Sequence, residues 1–215
     1  MLRSGDTEGC ICTGMKMLEE AEKAGAKVTS ILWKDEPGVF ENCPVQYCAP
    51  GDLFDYACPQ KNSPGPVFTA IPMIEEREIR SAIVLENVQD PGNVGTVIRT
   101  ANAFGIDAVY LLGDCARLSN PKTVRATMGS CFWEQVIEQE FPSIPVYAAV
   151  LRPDAKDLRE MNLKNCAVAI GSEGHGLSEE LIARCAGSVI IPMTERAESL
   201  NAAVAASVCM WEMSR

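Results

Sequence analysis

The sequence predicts an α/β protein: a doubly wound, mainly parallel domain preceded by a smaller α/β unit. Three observations carry this. Short, strongly apolar runs alternate with helical or polar segments across residues 81–215, the pattern of buried parallel strands joined by crossover helices. Residues 1–72 show a shorter alternation of helix and strand. Between them PMIEEREIR breaks the pattern with a proline and a charge run, so residues 73–80 read as a linker.

Each element follows from local signals. MKMLEEAEKAG, residues 15–25, is an amphipathic helix that stops at Gly25, and KVTSILW follows as a strand. GDLFDYAC begins a second helix with Asp52 as its N-cap. The NSPGP turn then leads into a strand, VFTAI. From Ser81 the buried strands are SAIVLE, DAVYLL, VYAAVL, CAVAI and SVIIP. Between them lie the helix of DPGNVGTVIRTANAFGID, a segment around PKTVRATMG, a polar helix near DAKDLREMN, and SEELIARCA with Ser178 as N-cap. SLNAAVAASVCMWEMSR closes the chain as a helix whose Val204, Val208 and Trp211 form an i, i+4, i+7 stripe.

Bulk properties bound the function. With 215 residues, 47% of them apolar, the chain can fill one large core or two small ones. No apolar run approaches membrane-spanning length and MLRSGDTEGC lacks a signal-peptide stretch, so no membrane contact and a cytoplasmic location are expected. The 10 cysteines include no C-x-x-C pair. Free thiols are therefore expected, with neither a disulfide framework nor a metal site, and Cys166 and Cys209 read as small core residues. The formal charge of -10 argues against indiscriminate binding to a polyanion. Between Pro91 and Thr127, however, Arg99, Arg117, Lys122 and Arg125 outnumber Asp107 and Asp114, a basic patch compatible with RNA.

Three loops follow strand ends, where α/β sheets bind ligands. In the first, residues 90–107, the apolar positions are Val94, Val97, Ile98, Ala101 and Phe104. Arg99 falls one turn beyond Gly95 on another face, so its guanidinium is expected over bare backbone open to a phosphate or ribose. The second, AIGSEGHGLSEE, orders its glycines G-x-x-G-x-G after a late strand, which is wrong for the dinucleotide fingerprint and leaves a nicotinamide enzyme poorly supported. Three glycines around Glu173 leave backbone groups open to a ligand. In the third, IPMTERAESLNAAVAAS, either Ser199 or Asn201 suits the cap of the last helix. His175 is the single histidine, which disfavours His–Cys catalysis and a histidine-rich metal site.

Taken together, ENVQDPGNVGTVIRTANAFG, AIGSEGHGLSEE and IPMTERAESLNAAVAA resemble, in order and spacing, motifs 1, 2 and 3 of the SpoU (TrmH-type) RNA ribose 2′-O-methyltransferases of the SPOUT superfamily. RATMGS, residues 125–130, is similar to another segment common in that family, and the likeness covers residues 81–215. EGCICTGMKMLEEAEKAGAKVTSILW and SPGPVFTAI resemble an L30e-like RNA-binding domain. The chain starts without the basic N-terminal segment of many relatives, so an RNA-binding surface incomplete at its start is expected.

The resemblance implies a Rossmann-like parallel sheet with a C-terminal trefoil knot, a homodimer, S-adenosyl-L-methionine as cofactor, and structured RNA, ribosomal before transfer, as partner. By position, Gly171, Ile191 and Leu200 match cofactor-holding residues. Asn93, Arg99, Glu173, Ser199 and Asn201 match the catalytic set. One departure is Glu195, where many relatives carry glycine; a carboxylate there is expected to alter the cofactor loop or repel phosphate.

A methyl transfer needs the hydroxyl oxygen, methyl carbon and sulfur aligned and a proton removed. The resemblance makes Arg99 the residue that activates the hydroxyl. A guanidinium normally stays protonated, so we favour a grip on the adjacent phosphate and stabilisation of alkoxide charge, with a base role left open. Asn93 is expected to cap its helix and orient Arg99, Glu173 to fix either one, and Ser199 and Asn201 to shape the cofactor loop. Two alternatives stand beside this reading: a non-catalytic RNA-binding protein with a vestigial knot, and methyl transfer to protein or a small molecule.

Overall fold

The computed structural model describes residues 9–75, 77–194, 196 and 198–215. Its first sheet contains β1 (Cys10–Thr13), β2 (Lys27–Lys34), β3 (Gln46–Ala49) and β4 (Val67–Ile71), in the order β1-β4-β2-β3. β4 runs antiparallel to both β1 and β2, and β3 is parallel to β2. The edge strands β1 and β3 are four residues each, too short for an alternation to be read from sequence. Helix α1 (Met15–Lys23) buries Met17, Leu18 and Ala21. Helix α2 (Gly51–Ala57) starts one residue before Asp52, which lies in its first turn. The expected Asp52 cap is displaced because Asp35 reaches across to accept from Gly51 N at 2.7 Å.

The second sheet contains β5 (Ala82–Glu86), β6 (Ala108–Leu112), β7 (Gln135–Glu138), β8 (Val146–Ala149), β9 (Lys156–Asp157), β10 (Ala167–Ile170) and β11 (Gly187–Ile190). The order is β7-β6-β5-β10-β8-β11-β9, and every pairing is parallel. Helices α3 (Pro91–Phe104), α4 (Pro121–Thr127), α5 (Glu179–Arg184) and α6 (Ala202–Met213) complete it. Strand residues alternate between two faces. Ile83, Leu85, Val109, Leu111, Val168 and Ile170 join a core with α3 and α6, whereas Val84, Tyr110 and Ala169 face Leu177 and Leu181 at α5. The doubly wound expectation is met. The stretch DAKDLREMN is not a helix. It forms β9 and a single 3-10 turn, Leu158–Glu160, because Leu158 alone is fully buried there and Asp157 caps the turn by accepting from Arg159 N.

The first unit packs on α4 and the turn after it: Val124, Cys131 and Phe132 share one core with Cys10, Cys12, Leu18, Ile31 and Phe68. All ten cysteines are free thiols. Among the described residues no helix is long and apolar enough to cross a membrane.

Candidate active site

Three chain segments meet beyond the carboxyl ends of β5, β10 and β11. The first enters α3, whose N-cap is Asp90: its Oδ1 accepts from Asn93 N at 2.9 Å, and Pro91 occupies the first turn. Asn93 is thus not the cap that the sequence led us to expect. Asp90 sits three residues ahead in the geometry an N-cap needs, and this releases the Asn93 side chain for the site.

The second segment is the loop Gly171–Ser178. A Cβ at Gly171 would lie 2.0 Å from the carbonyl carbon of Gly176 and 2.3 Å from Leu177 N. Only glycine lets the loop fold back on itself there, in a turn closed by Gly176 N donating to Ser172 O at 2.9 Å. The far end of the loop is tied to β5. The buried carboxylate of Glu86 accepts from Ser178 N and from Ser178 Oγ, both at 2.7 Å. The same hydroxyl accepts from Leu181 N at 3.1 Å and caps α5 as expected.

The third segment enters α6. Asn201 Oδ1 accepts from Ala203 N and Val204 N, which settles the capping question in favour of Asn201 over Ser199. Because the amide oxygen is committed to the helix, its nitrogen faces the site. Asn201 Nδ2 donates to Asn93 Oδ1 at 3.1 Å and also to Glu173 Oε1. Asn93 Nδ2 donates to the same carboxylate oxygen at 2.9 Å. Asn93, Glu173 and Asn201, up to 108 positions apart, form one polar cluster.

A cavity of about 380 Å³ opens beside this cluster, within the roughly 300–1,000 Å³ of small-molecule sites. Gly171, Glu173, Ile191, Ser199 and Leu200 line it, with Leu177, Ile182 and Ile170 among its apolar walls. At its edge Arg152 pairs with Glu179. Apolar walls with exposed loop backbone suit a flat heteroaromatic ring and its polar rim. Burial pushes the Cys166 thiol up to about 11 and the Cys209 thiol to about 12, so neither is a thiolate nucleophile near neutrality. Among the described residues no group of three or more His, Cys, Asp or Glu is placed to hold a metal ion.

Residues 80–211 match the model of the SpoU rRNA Methylase family. The chain belongs to that family. A relative, 23S rRNA (guanosine(2553)-2′-O)-methyltransferase RlmP of Bacillus subtilis, is 33% identical over 96% of this chain and 89% of its own length. A solved structure from Porphyromonas gingivalis, assigned to the TrmH family of RNA methyltransferases, superposes with a TM-score of 0.80 at 27% identity, covering 96% of this chain and 89% of that one. That of an AdoMet-bound rRNA methyltransferase of Sinorhizobium meliloti shares the fold, with a TM-score of 0.80 at 24% identity over 96% and 87%.

Against the SpoU motifs, the structure brings Asn93, Glu173 and Asn201 into direct contact and sets Gly171, Ile191, Ser199 and Leu200 around the cavity. It leaves Arg99 outside both. Six residues beyond Asn93, Arg99 lies about 9 Å further along α3, exposed and with no side-chain hydrogen bond or ion pair among the described residues. The expected bare backbone beneath it is absent, because Gly95 is buried against α4. A Cβ there would lie 2.4 Å from Ala126 Cβ and 2.7 Å from Thr123 O. Gly95 is a helix-packing residue. Glu195 lies outside the described residues. Sequence reasoning gave no role to Glu86; an acid ending an otherwise apolar strand was the one available signal.

Proposed function

We propose that the protein methylates a ribose 2′-hydroxyl of structured RNA, ribosomal RNA first, using S-adenosyl-L-methionine. The observation that carries this is the joining of three sequence-distant motifs into one polar cluster beside a cavity of cofactor size. The near full-length likeness to RlmP supports ribosomal RNA as the substrate and the cytoplasm as the setting. Residues 81–215 act as the catalytic domain and residues 1–72 as the RNA-binding unit, joined by residues 73–80.

Gly171, Ile191 and Leu200 hold the cofactor, and Ser199 shapes the adjoining wall. When bound, S-adenosyl-L-methionine supplies an electrophilic methyl group on a sulfonium. Asn93, Glu173 and Asn201 fix the motif 2 loop against α3 and α6, so the cavity wall is set before substrate arrives. Arg99 binds the RNA phosphate beside the target and stabilises negative charge as the hydroxyl loses its proton. Among the described residues no acid pairs with it, which leaves the guanidinium available for that contact.

A homodimer fits the exposed face of α6. Val204, Val208 and Trp211 are 49%, 38% and 57% exposed, and Trp211 packs edge-on against Phe104 of α3 with centroids 5.7 Å apart. An aligned apolar stripe of this kind marks an interaction surface. Light scattering is expected to give twice the 23.3 kDa chain mass, and Trp211→Glu the single mass.

The direct test incubates the protein with radiolabelled S-adenosylmethionine and unmodified 23S ribosomal RNA transcribed in vitro. Label in alkali-resistant dinucleotides is expected. Arg99→Ala lowers turnover on the order of 10²–10³-fold, and Arg99→Lys rescues little of it because one ammonium cannot replace a bidentate fork. Absence of cofactor binding in calorimetry, with RNA binding retained, would favour the non-catalytic alternative.

A further inference from the structure

We propose that α4 is an RNA-docking helix: Lys122 and Arg125, continuous with Arg99, hold substrate backbone phosphates next to the methylation site. This rests on the RNA-methylating reading above and adds to it a surface outside the cavity and the polar cluster.

Packing places the three cations on one surface. Gly95 of α3 meets Thr123 and Ala126 of α4 at backbone contact, and Asn102 Nδ2 donates to Ser130 Oγ at 3.3 Å. Arg99 falls between those two contacts on the same helical face as Gly95 and Asn102, at spacings of four and three. It therefore lies against the segment that runs from Ala126 to Ser130. Lys122 and Arg125 are three residues apart on the exposed side of the same short helix. That helix is held rigidly: Asn120 Oδ1 accepts from Lys122 N at 2.9 Å, Pro121 opens the first turn, and Thr127 and Val124 are buried.

None of Arg99, Lys122 and Arg125 forms an ion pair among the described residues, although the chain is acidic overall. Glu20, whose Cβ approaches Gly129, is occupied by Lys23 at 2.8 Å. Like charges at i, i+3 repel across a helix face. Exposed cations with no ion-pair partner among the described residues, on a well-anchored helix, are complementary to a polyanion, and RNA phosphate is the polyanion the reaction brings.

The test is filter binding of unmodified 23S ribosomal RNA at a series of salt concentrations. For the double variant Lys122→Gln/Arg125→Gln, affinity at about 0.15 M salt is expected to fall roughly tenfold or more. The slope of log K against log salt should become shallower by about one to two, as for the loss of one or two phosphate contacts. Lys164→Gln, which removes an exposed charge elsewhere, is expected to leave the slope unchanged. Calorimetric S-adenosylmethionine affinity and the light-scattering mass should match the wild type. A wild-type slope in the double variant overturns the inference, as does a changed mass, which would assign α4 to contacts between copies of the chain. A wild-type protein that binds no RNA overturns the functional reading itself.

Discussion

The two edges of the seven-stranded sheet handle buried carboxylates in opposite ways. At the carboxyl edge, Glu86 ends β5 with two hydrogen bonds from Ser178, at 2.7 Å each, and so ties the motif 2 loop to the sheet. At the amino edge, Glu134 precedes β7 with its side chain 1% exposed and Oε1 without a hydrogen-bond partner. The Arg77 guanidinium stops 3.8 Å short of it. Neighbouring Asp107 is better served, accepting from Arg80 N, Ser81 N and Ser81 Oγ just before β5. Burial pushes the Glu134 carboxyl up to about 8, with Asp107 adding to the rise and Arg77 opposing it. A buried acid supports structure only when its acceptor sites are filled. The edge beside the polar cluster meets that condition.

This contrast can be broken most sharply at Glu134. Its folded-state value lies above its ordinary one, so the native state keeps a proton that the unfolded chain has lost between about pH 4.5 and 8. Native stability therefore falls as pH rises through that window, and is fully retained below it. Glu134→Gln should abolish the slope and be more stable than the wild type by about 3–5 kcal/mol above pH 8, with near equality at pH 4. Urea unfolding across pH checks this, and an unchanged slope in the variant would show that Glu134 is not its source.

At the opposite edge, Gly171→Ala forces a methyl group into the backbone of Gly176 and Leu177. Overpacking of this kind costs about 1–3 kcal/mol. If the loop moves to relieve it, cofactor affinity drops by roughly 10–100-fold in calorimetry while the far-ultraviolet spectrum is kept. Wild-type affinity in Gly171→Ala would mean that the tight turn does not set the cavity wall. The smallest effect is expected from Ser178→Ala, which removes the α5 cap and one donor to Glu86. A loss of about 1–2 kcal/mol in thermal unfolding follows, and Glu86→Gln should recover part of it, because a neutral amide is cheaper to leave half-paired than a carboxylate.

Much of this was legible from neighbours in sequence. The apolar runs from Ser81 became strands, Gly25 and Ser178 marked helix ends, and the glycine order of motif 2 spoke against a dinucleotide turn. Where expectation and structure part, a distant residue intervenes. Asp35 binds the first N–H of α2, which starts ahead of Asp52, and Asp90 takes the cap from Asn93. In DAKDLREMN, pairing of β9 with β11 prevailed over a weak helical pattern. Gly95 looked like an opening for a ligand, but glycine serves close helix approach equally well, and only the position of α4 distinguishes the two uses.

By itself, then, the sequence determined the α/β alternation, the order of the three motifs and the residue types available to the site. These rest on periodicity, capping and turn chemistry, all of which act within a few residues. Tertiary structure alone decided which side chains meet. Glu86 and Ser178 are separated by 92 positions and Asn93 and Asn201 by 108, distances that no local propensity spans. Whether a buried carboxylate is a tether, like Glu86, or a pH-sensitive liability, like Glu134, depends on which donors packing brings within hydrogen-bond reach.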